Sequence, residues 1–308
     1  MTNVEPIDQT LARAKHVVPN ACARARDILG NVLDTLTASI WPDIAFRFSS
    51  LTNTGYPVEF AWSSRDPSLR FTFEAAPAEM PDHHRLPKAL ATLAEWGVDR
   101  FHAAHELQSM QISTQLKFGA WIGVRCSEND TTYKLYVELP PGLCTTSWAQ
   151  SVLDNSSLSL RIPDAVWRMA GFNPAGEIEL YARTGNLESV TLRSLVRQLD
   201  GNPAIFLELV ERLVRQPELP ATSGISLAFD TGGAFAGLTL FAFAKHLCSS
   251  DAQVHDALLA LAKPNDYDTD LYEALSAGKD DGHWRHGMLG FGFQRHTGTW
   301  IQAGLRPA

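Results

Sequence analysis

The runs "VEFAWS" (58–63) and "LRFTFE" (69–74) alternate apolar and polar residues without a break. Successive side chains on a strand point to opposite faces, so Val58, Phe60 and Trp62 share one face and Glu59 takes the other. Leu69, Phe71 and Phe73 repeat the pattern against Arg70, Thr72 and Glu74. A sheet of this kind has an apolar face that must be covered and a second face carrying isolated charges.

The alternation recurs along the chain. In "STQLKFGAWIGVRC", Leu116, Phe118, Ile122 and Val124 oppose Lys117, Trp121 and Arg125; in "TYKLYVELP", Leu135, Val137 and Leu139 oppose Lys134, Tyr136 and Glu138. In "EIELYART", Ile178 and Leu180 oppose Glu177, Glu179, Tyr181 and Arg183. The polar turn "SENDT" and the Thr231-Gly-Gly233 turn between "GISLAFD" and "GLTLFAFAKHL" predict hairpins, hence antiparallel neighbours. Further strands are expected at 44–50 and in "GMLGFGFQR" and "TWIQAGLRP".

Helical spacing predicts helices over 8–40, 86–108, 145–153, 163–170, 191–215, 252–262 and 270–277, with a break at Pro217 to Pro220. The chain cycles helix, strand, strand with no Pro- or Ser-rich linker, which predicts a single α+β domain over 1–308. An antiparallel barrel of about ten strands inside a ring of helices would turn the polar faces into a lumen. The odd face then lines a chamber.

Composition narrows the function. The 308 residues are 45% hydrophobic with a net charge of −8, which argues against a nucleic-acid or anionic-membrane partner. Cys22, Cys126, Cys144 and Cys248 lie far apart, as reduced thiols do. The first residues lack an apolar signal core and no run of about 18 apolar residues occurs, so a cytoplasmic location is expected. His83-His84 and His102 with His105 lack the company of a metal site, and "NDYDTD" (265–270) reads as a solvated turn. No phosphate loop, nucleophile elbow or zinc spacing is present.

"SSLTNTGYPVEFAWSSRDPSLRFTFE", "YKLYVELP" and "GMLGFGFQRHTGTWIQAGLRP" resemble, in turn, the first sheet segment, the Lys-x-Tyr strand and the closing hairpin of aromatic prenyltransferases of the dimethylallyltryptophan-synthase type. The resemblance runs from about residue 44 to the C-terminus. Length and the Glu-x-Glu-x-Tyr of "EIELY" look closer to compact bacterial members, including the cyanobactin-type peptide prenyltransferases. The resemblance implies the prenyltransferase (ABBA) barrel and transfer of a prenyl group from an allylic diphosphate, dimethylallyl or geranyl, to an aromatic small molecule or a peptide. No organic cofactor is implied.

By the same resemblance Glu59 holds the acceptor's N–H or O–H, Arg70 and Lys134 hold the diphosphate, and Tyr136 and Tyr181 shield the allylic cation. Trp121 and Arg125, on the same predicted face, join the substrate-binding set, and Lys117 is the expected base for the arenium proton. The chemistry suits these types: the leaving group needs cationic donors and the carbocation needs π-faces.

Departures are also visible. Glu177 and Glu179 stand where fungal members carry an arginine and a lysine, Thr239-x-Phe241 replaces a Lys-x-Tyr, and Gly304 replaces a tyrosine. An Mg²⁺ ion on Glu177 or Glu179 bridging to the diphosphate would repair the charge. Gly119 and Gly123, flanking Trp121, are expected to leave room for a longer prenyl chain. The competing reading is a non-catalytic barrel that binds a small aromatic molecule or peptide.

Overall fold

In the computed structural model, described for residues 4–38, 41–112, 114–159, 162, 164–185, 187–214, 223–278 and 282–307, two helices open the chain. They are α1 (Glu5–Ala14) and α2 (Pro19–Thr37). Strands β1 (Val58–Ser63) and β2 (Leu69–Glu74) follow, then α3 (Asp82–Glu95) and α4 (His102–Ile112). Next come β3 (Ala120–Cys126), β4 (Thr131–Glu138), α5 (Leu143–Asp154), β5 (Val166–Phe172) and β6 (Ile178–Arg183). Helices α6 (Ser189–Gln198) and α7 (Pro203–Val214) lead to β7 (Gly224–Phe229) and β8 (Phe235–Phe243). The chain ends through α8 (Ala244–Leu247), α9 (Asp251–Ala262), α10 (Asp270–Ser276), β9 (His286–Gln294) and β10 (Gly298–Leu305).

Every strand pairs antiparallel with its sequence neighbour, and β1 closes on β10, giving a closed ten-stranded barrel. Closure removes both sheet edges. The apolar alternates Val58, Phe60, Trp62, Phe71, Phe73, Ile122, Leu135, Leu180, Leu227, Phe291 and Ile301 are all buried, and they pack in one cluster with Leu29, Leu86, Leu93, Leu195, Phe206 and Leu258 from the helices. The helices carrying these residues thus cover parts of the barrel's outer face, and burial of that apolar surface is the main force holding the layers together.

Several local expectations need correction. Residues 44–50 hold a 3-10 turn (Ile44–Phe46), and the stretch read as a helix at 163–170 supplies β5. The helix expected over 8–40 breaks at Pro19, that over 86–108 at Gly97, and that over 191–215 at Asp200-Gly201, where Asp200 has φ of 59°. The Pro217 to Pro220 break lies outside the described residues.

Strand β3 begins at Ala120, so the alternation drawn back to Leu116 fails. The Glu138 carboxylate accepts hydrogen bonds from the backbone N–H groups of Lys117, Phe118 and Gly119, and Gly119 has φ of 66°. This nest of donors ties the bend to β4. Lys117 is exposed on the bend instead of facing inward from a strand.

Candidate active site

Strand register places the inward side chains. Ala61 pairs with Arg70 and Arg70 with Arg125, so both arginines reach the same mouth of the barrel. The turn that follows β1 adds Arg65 and Asp66 there. Arg70 Nη2 lies 2.5 Å from Asp66 Oδ2 and Arg125 Nη1 lies 3.9 Å from it. The Arg65 guanidinium donates to Gln294 and sits 5.2 Å from the Trp300 ring centroid.

These guanidinium groups feel one another. Burial, then the charges of Arg125 and Arg65, push Arg70 down to about 10 against the pull of Asp66. Burial also works against the Asp66 charge, but Arg70, Ser68 and Arg125 outweigh it and hold the carboxyl below its ordinary range. A buried Arg70 Nε has no hydrogen-bond partner among the described residues. This mouth is built for an anion.

The waist of the barrel is aromatic. Lys134 Nζ donates to Glu179 and, over 3.1 Å, to the Tyr181 hydroxyl, and Ser226 donates to the other Glu179 oxygen. The ammonium stands 5.2 Å from the Tyr136 ring centroid and 5.5 Å from that of Tyr181. Phe241 completes the wall 5.9 Å from Tyr181. Burial opposes the Lys134 charge, yet Glu179 outweighs it and keeps the ammonium above the ordinary lysine range. The rings already enclose a cation, the side chain's own.

Two inward glycines make this arrangement fit. A Cβ at Gly123 would come within 2.8 Å of the Tyr136 ring, and one at Gly171 within 2.5 Å of Lys134 Cε. The space expected beside Trp121 for a longer prenyl chain is therefore filled: Gly123 receives Tyr136, and a Cβ at Gly119 would strike the Asp82 carbonyl at 2.0 Å. Trp121 itself is anchored, donating from Nε1 to Glu74 over 2.9 Å and stacking on Phe118.

At the opposite mouth stands Glu59. Among the described residues no hydrogen bond or ion pair to its carboxylate is present, and burial alone pushes it up to about 8. A Cβ at either Gly287 or Gly304 would lie 2.7 Å from Glu59 Oε1. Gly304, which the sequence presented as a lost tyrosine, is thus the seat of the carboxyl. A cavity beside Glu59 is bounded by the loop Ser50 to Asn53, by Phe243 and Met288, and by Trp284, Arg285 and Arg306.

The metal expectation fares differently. Both Glu179 oxygens are engaged by Lys134 and Ser226, and Glu177 accepts from Asn173 Nδ2 at 2.7 Å. Among the described residues no group of three or more His, Cys, Asp or Glu side chains is placed to hold a metal ion. As placed, both Glu179 oxygens and one Glu177 oxygen already hold hydrogen bonds that an ion would have to share or displace.

Of the expected residues, Arg70 and Arg125 meet at one mouth, Lys134, Tyr136, Tyr181 and Glu179 at the waist, and Glu59 and Trp121 toward the other end. Arg65 and Asp66 escaped notice because they follow β1 in a turn, where alternation has no say. Phe241 was visible only as a departure.

No family model matches the sequence, and no curated protein matches it. Solved structures do. The apo form of prenyltransferase PriB superposes with a TM-score of 0.82 at 15% identity, covering 100% of this chain and 96% of that one. 5-Dimethylallyltryptophan synthase from Streptomyces coelicolor gives 0.82 at 15% identity, with 99% and 97% covered. This is the aromatic prenyltransferase fold. AnaPT from Neosartorya fischeri fits over less of its length, with a TM-score of 0.59, 13% identity and 85% and 80% covered. PriB has also been solved with L-tryptophan and dimethylallyl thiolodiphosphate, and the Streptomyces coelicolor protein with DMASPP and Trp. No helix among the described residues of this prenyltransferase barrel is long and apolar enough to cross a membrane.

Proposed function

We propose that the chain transfers a prenyl group from an allylic diphosphate to the ring of an aromatic acceptor. The observation that carries this reading is the order of chemistry along one lumen: arginines at one mouth, a tyrosine cage at the waist, and at the other end a carboxyl with no ion pair among the described residues.

The donor's diphosphate lies against Arg70 with its prenyl chain toward the waist. As the allylic C–O bond breaks, its electron pair leaves with the diphosphate, whose growing charge the arginines stabilise. Tyr136, Tyr181 and Phe241 face the allylic cation and keep water from it. The acceptor enters beside Glu59, whose carboxylate takes a hydrogen bond from its N–H or O–H and raises the electron density of the ring. The ring carbon attacks, a C–C bond forms, and the arenium intermediate loses a proton to restore aromaticity. Lys117 is exposed on its bend, and this reading gives that proton to Glu59, which lines the chamber. No step is routed through a metal.

Dimethylallyl diphosphate is the donor this reading favours, since the Gly123 space is occupied. The acceptor is an aromatic amino acid, free or within a peptide. Incubation with dimethylallyl and geranyl diphosphates and a panel of tryptophan, tyrosine and peptides containing them should yield a product heavier by one prenyl group. Binding of acceptors with no product from any pair would favour the non-catalytic barrel.

A further inference from the structure

The strand that carries diphosphate-binding cations in fungal members carries carboxylates here, yet a separate cluster of cations has assembled across the same mouth. We infer that Arg65 and Arg125 form, with Arg70, a three-arginine site for the leaving diphosphate, with Asp66 as the carboxylate that tunes its charge. This rests on the prenyl-transfer reading above.

The three guanidinium groups come from the β1–β2 turn, β2 and β3, and burial first, then the charge of Arg125, holds Arg70 and Arg65 below the ordinary arginine range. Crowding cations together is unfavourable unless anions join them, and Asp66, with weaker help from Glu179 and Glu177 at Arg65, only partly meets that need. Asp66 contacts two of the three, at 2.5 and 3.9 Å from Arg70 and Arg125. Arg65 is aimed by its neighbours: Trp300 lies beneath its guanidinium and Gln294 accepts one of its N–H groups. A planar fork held over an aromatic face loses little freedom when it closes on phosphate oxygens.

The waist supplies the complementary argument. Lys134, the expected diphosphate ligand on β4, is committed to Glu179 and Tyr181. With that ammonium neutralised, the leaving group must draw its positive charge from elsewhere, and the directly paired Arg70 and Arg125 of β2 and β3 supply it at this mouth. Asp66 offsets part of that charge, so the site can release diphosphate after each turnover.

The test is titration of inorganic pyrophosphate into the purified protein by calorimetry. Arg65→Ala and Arg125→Ala should each weaken binding by about tenfold to a hundredfold, the loss of one charge-assisted contact. Asp66→Asn should tighten it and lower kcat and KM together, because product leaves more slowly. Arg212→Ala on outer helix α7 removes the same net charge and should leave affinity unchanged. Wild-type affinity in both Arg65→Ala and Arg125→Ala would overturn the three-arginine site while leaving prenyl transfer standing. An equal loss in Arg212→Ala would also overturn it, by assigning the effect to net charge. Absence of pyrophosphate binding by the wild-type protein would take down both readings.

Discussion

The two mouths of the barrel are unfinished in opposite senses. At one, Arg70 and Arg125 share the Asp66 carboxylate with Arg65 beside them; at the other, the Glu59 carboxylate has no ion pair among the described residues. Between them the Lys134–Glu179 pair is internally satisfied. Buried charges normally find partners, so groups left short of them mark where a ligand is expected. The same physics gives the waist a different role. It holds shape and presents aromatic faces, and its charges largely cancel.

The largest effect should come from the lone carboxyl. Glu59→Gln keeps shape but cannot become anionic, so turnover should fall by about two to four orders of magnitude, the range for loss of a positioned acid–base group. Donor binding, measured with a thiolodiphosphate analogue, should be unchanged, because that ligand sits at the other mouth. Unchanged turnover would remove Glu59 from the mechanism and break the contrast between the ends.

A smaller effect separates mouth from waist. Arg70→Ala should weaken the donor analogue by about one to two decades. Lys134→Gln should weaken it less, since its ammonium already serves Glu179, and should instead lower thermal stability by leaving a shielded carboxylate unpaired. Equal losses of affinity would mean that Lys134 swings to the diphosphate when the donor arrives.

The contrast also has a pH signature. If acceptor engagement needs ionised Glu59, kcat/KM for the acceptor should rise about tenfold per pH unit up to a pKa near 8, and this limb should vanish in Glu59→Gln. Stability runs the other way. The folded carboxyl holds its proton more tightly than the unfolded one, so stability is fully present below about 4.5 and declines as pH rises toward 8. Glu59→Gln should therefore melt higher than wild type at pH 9 and show no such advantage at pH 4. A melting difference independent of pH would place Glu59 in a hydrogen-bonded setting.

Much of this was legible in alternation alone. A period of two assigned Glu59, Arg70, Arg125, Lys134, Tyr136, Glu179 and Tyr181 to one face, and closure turned that face into a lumen. It fails on "VWRMAGF", where Arg168 is the one polar side chain, so no alternation shows and helical spacing fits as well. Alternation says nothing about turns, so Asp66 reads only as turn punctuation before Pro67, and no role at the mouth is legible for it or Arg65. Nor does it say which inward charges neutralise each other: Glu179 and Lys134 lie on different strands, and only three-dimensional register joins them. Glycines were the hardest to read. Gly304 looked like a missing side chain because the carboxyl it seats is on another strand.

The smallest effect concerns metal, and it sharpens the same contrast. Carboxylates on β6 suggested an ion bridging to diphosphate, which would place the leaving-group charge on that side of the chamber. Glu179 spends its oxygens on Lys134 and Ser226, and Glu177 is exposed and bonded to Asn173. Prising Glu179 free for Mg²⁺ would strand the Lys134 ammonium beside a second cation, at a cost that water ligands around one remaining carboxylate do not offset. Arginines at the β1–β3 side already supply the positive charge an ion would bring. Turnover in chelator should therefore stay within about twofold of that in Mg²⁺, a free-energy difference of under about half a kcal/mol. Loss of activity in chelator that Mg²⁺ restores in wild type, but not in Glu177→Gln, would return the leaving group to β6 and make the arginine mouth an accessory.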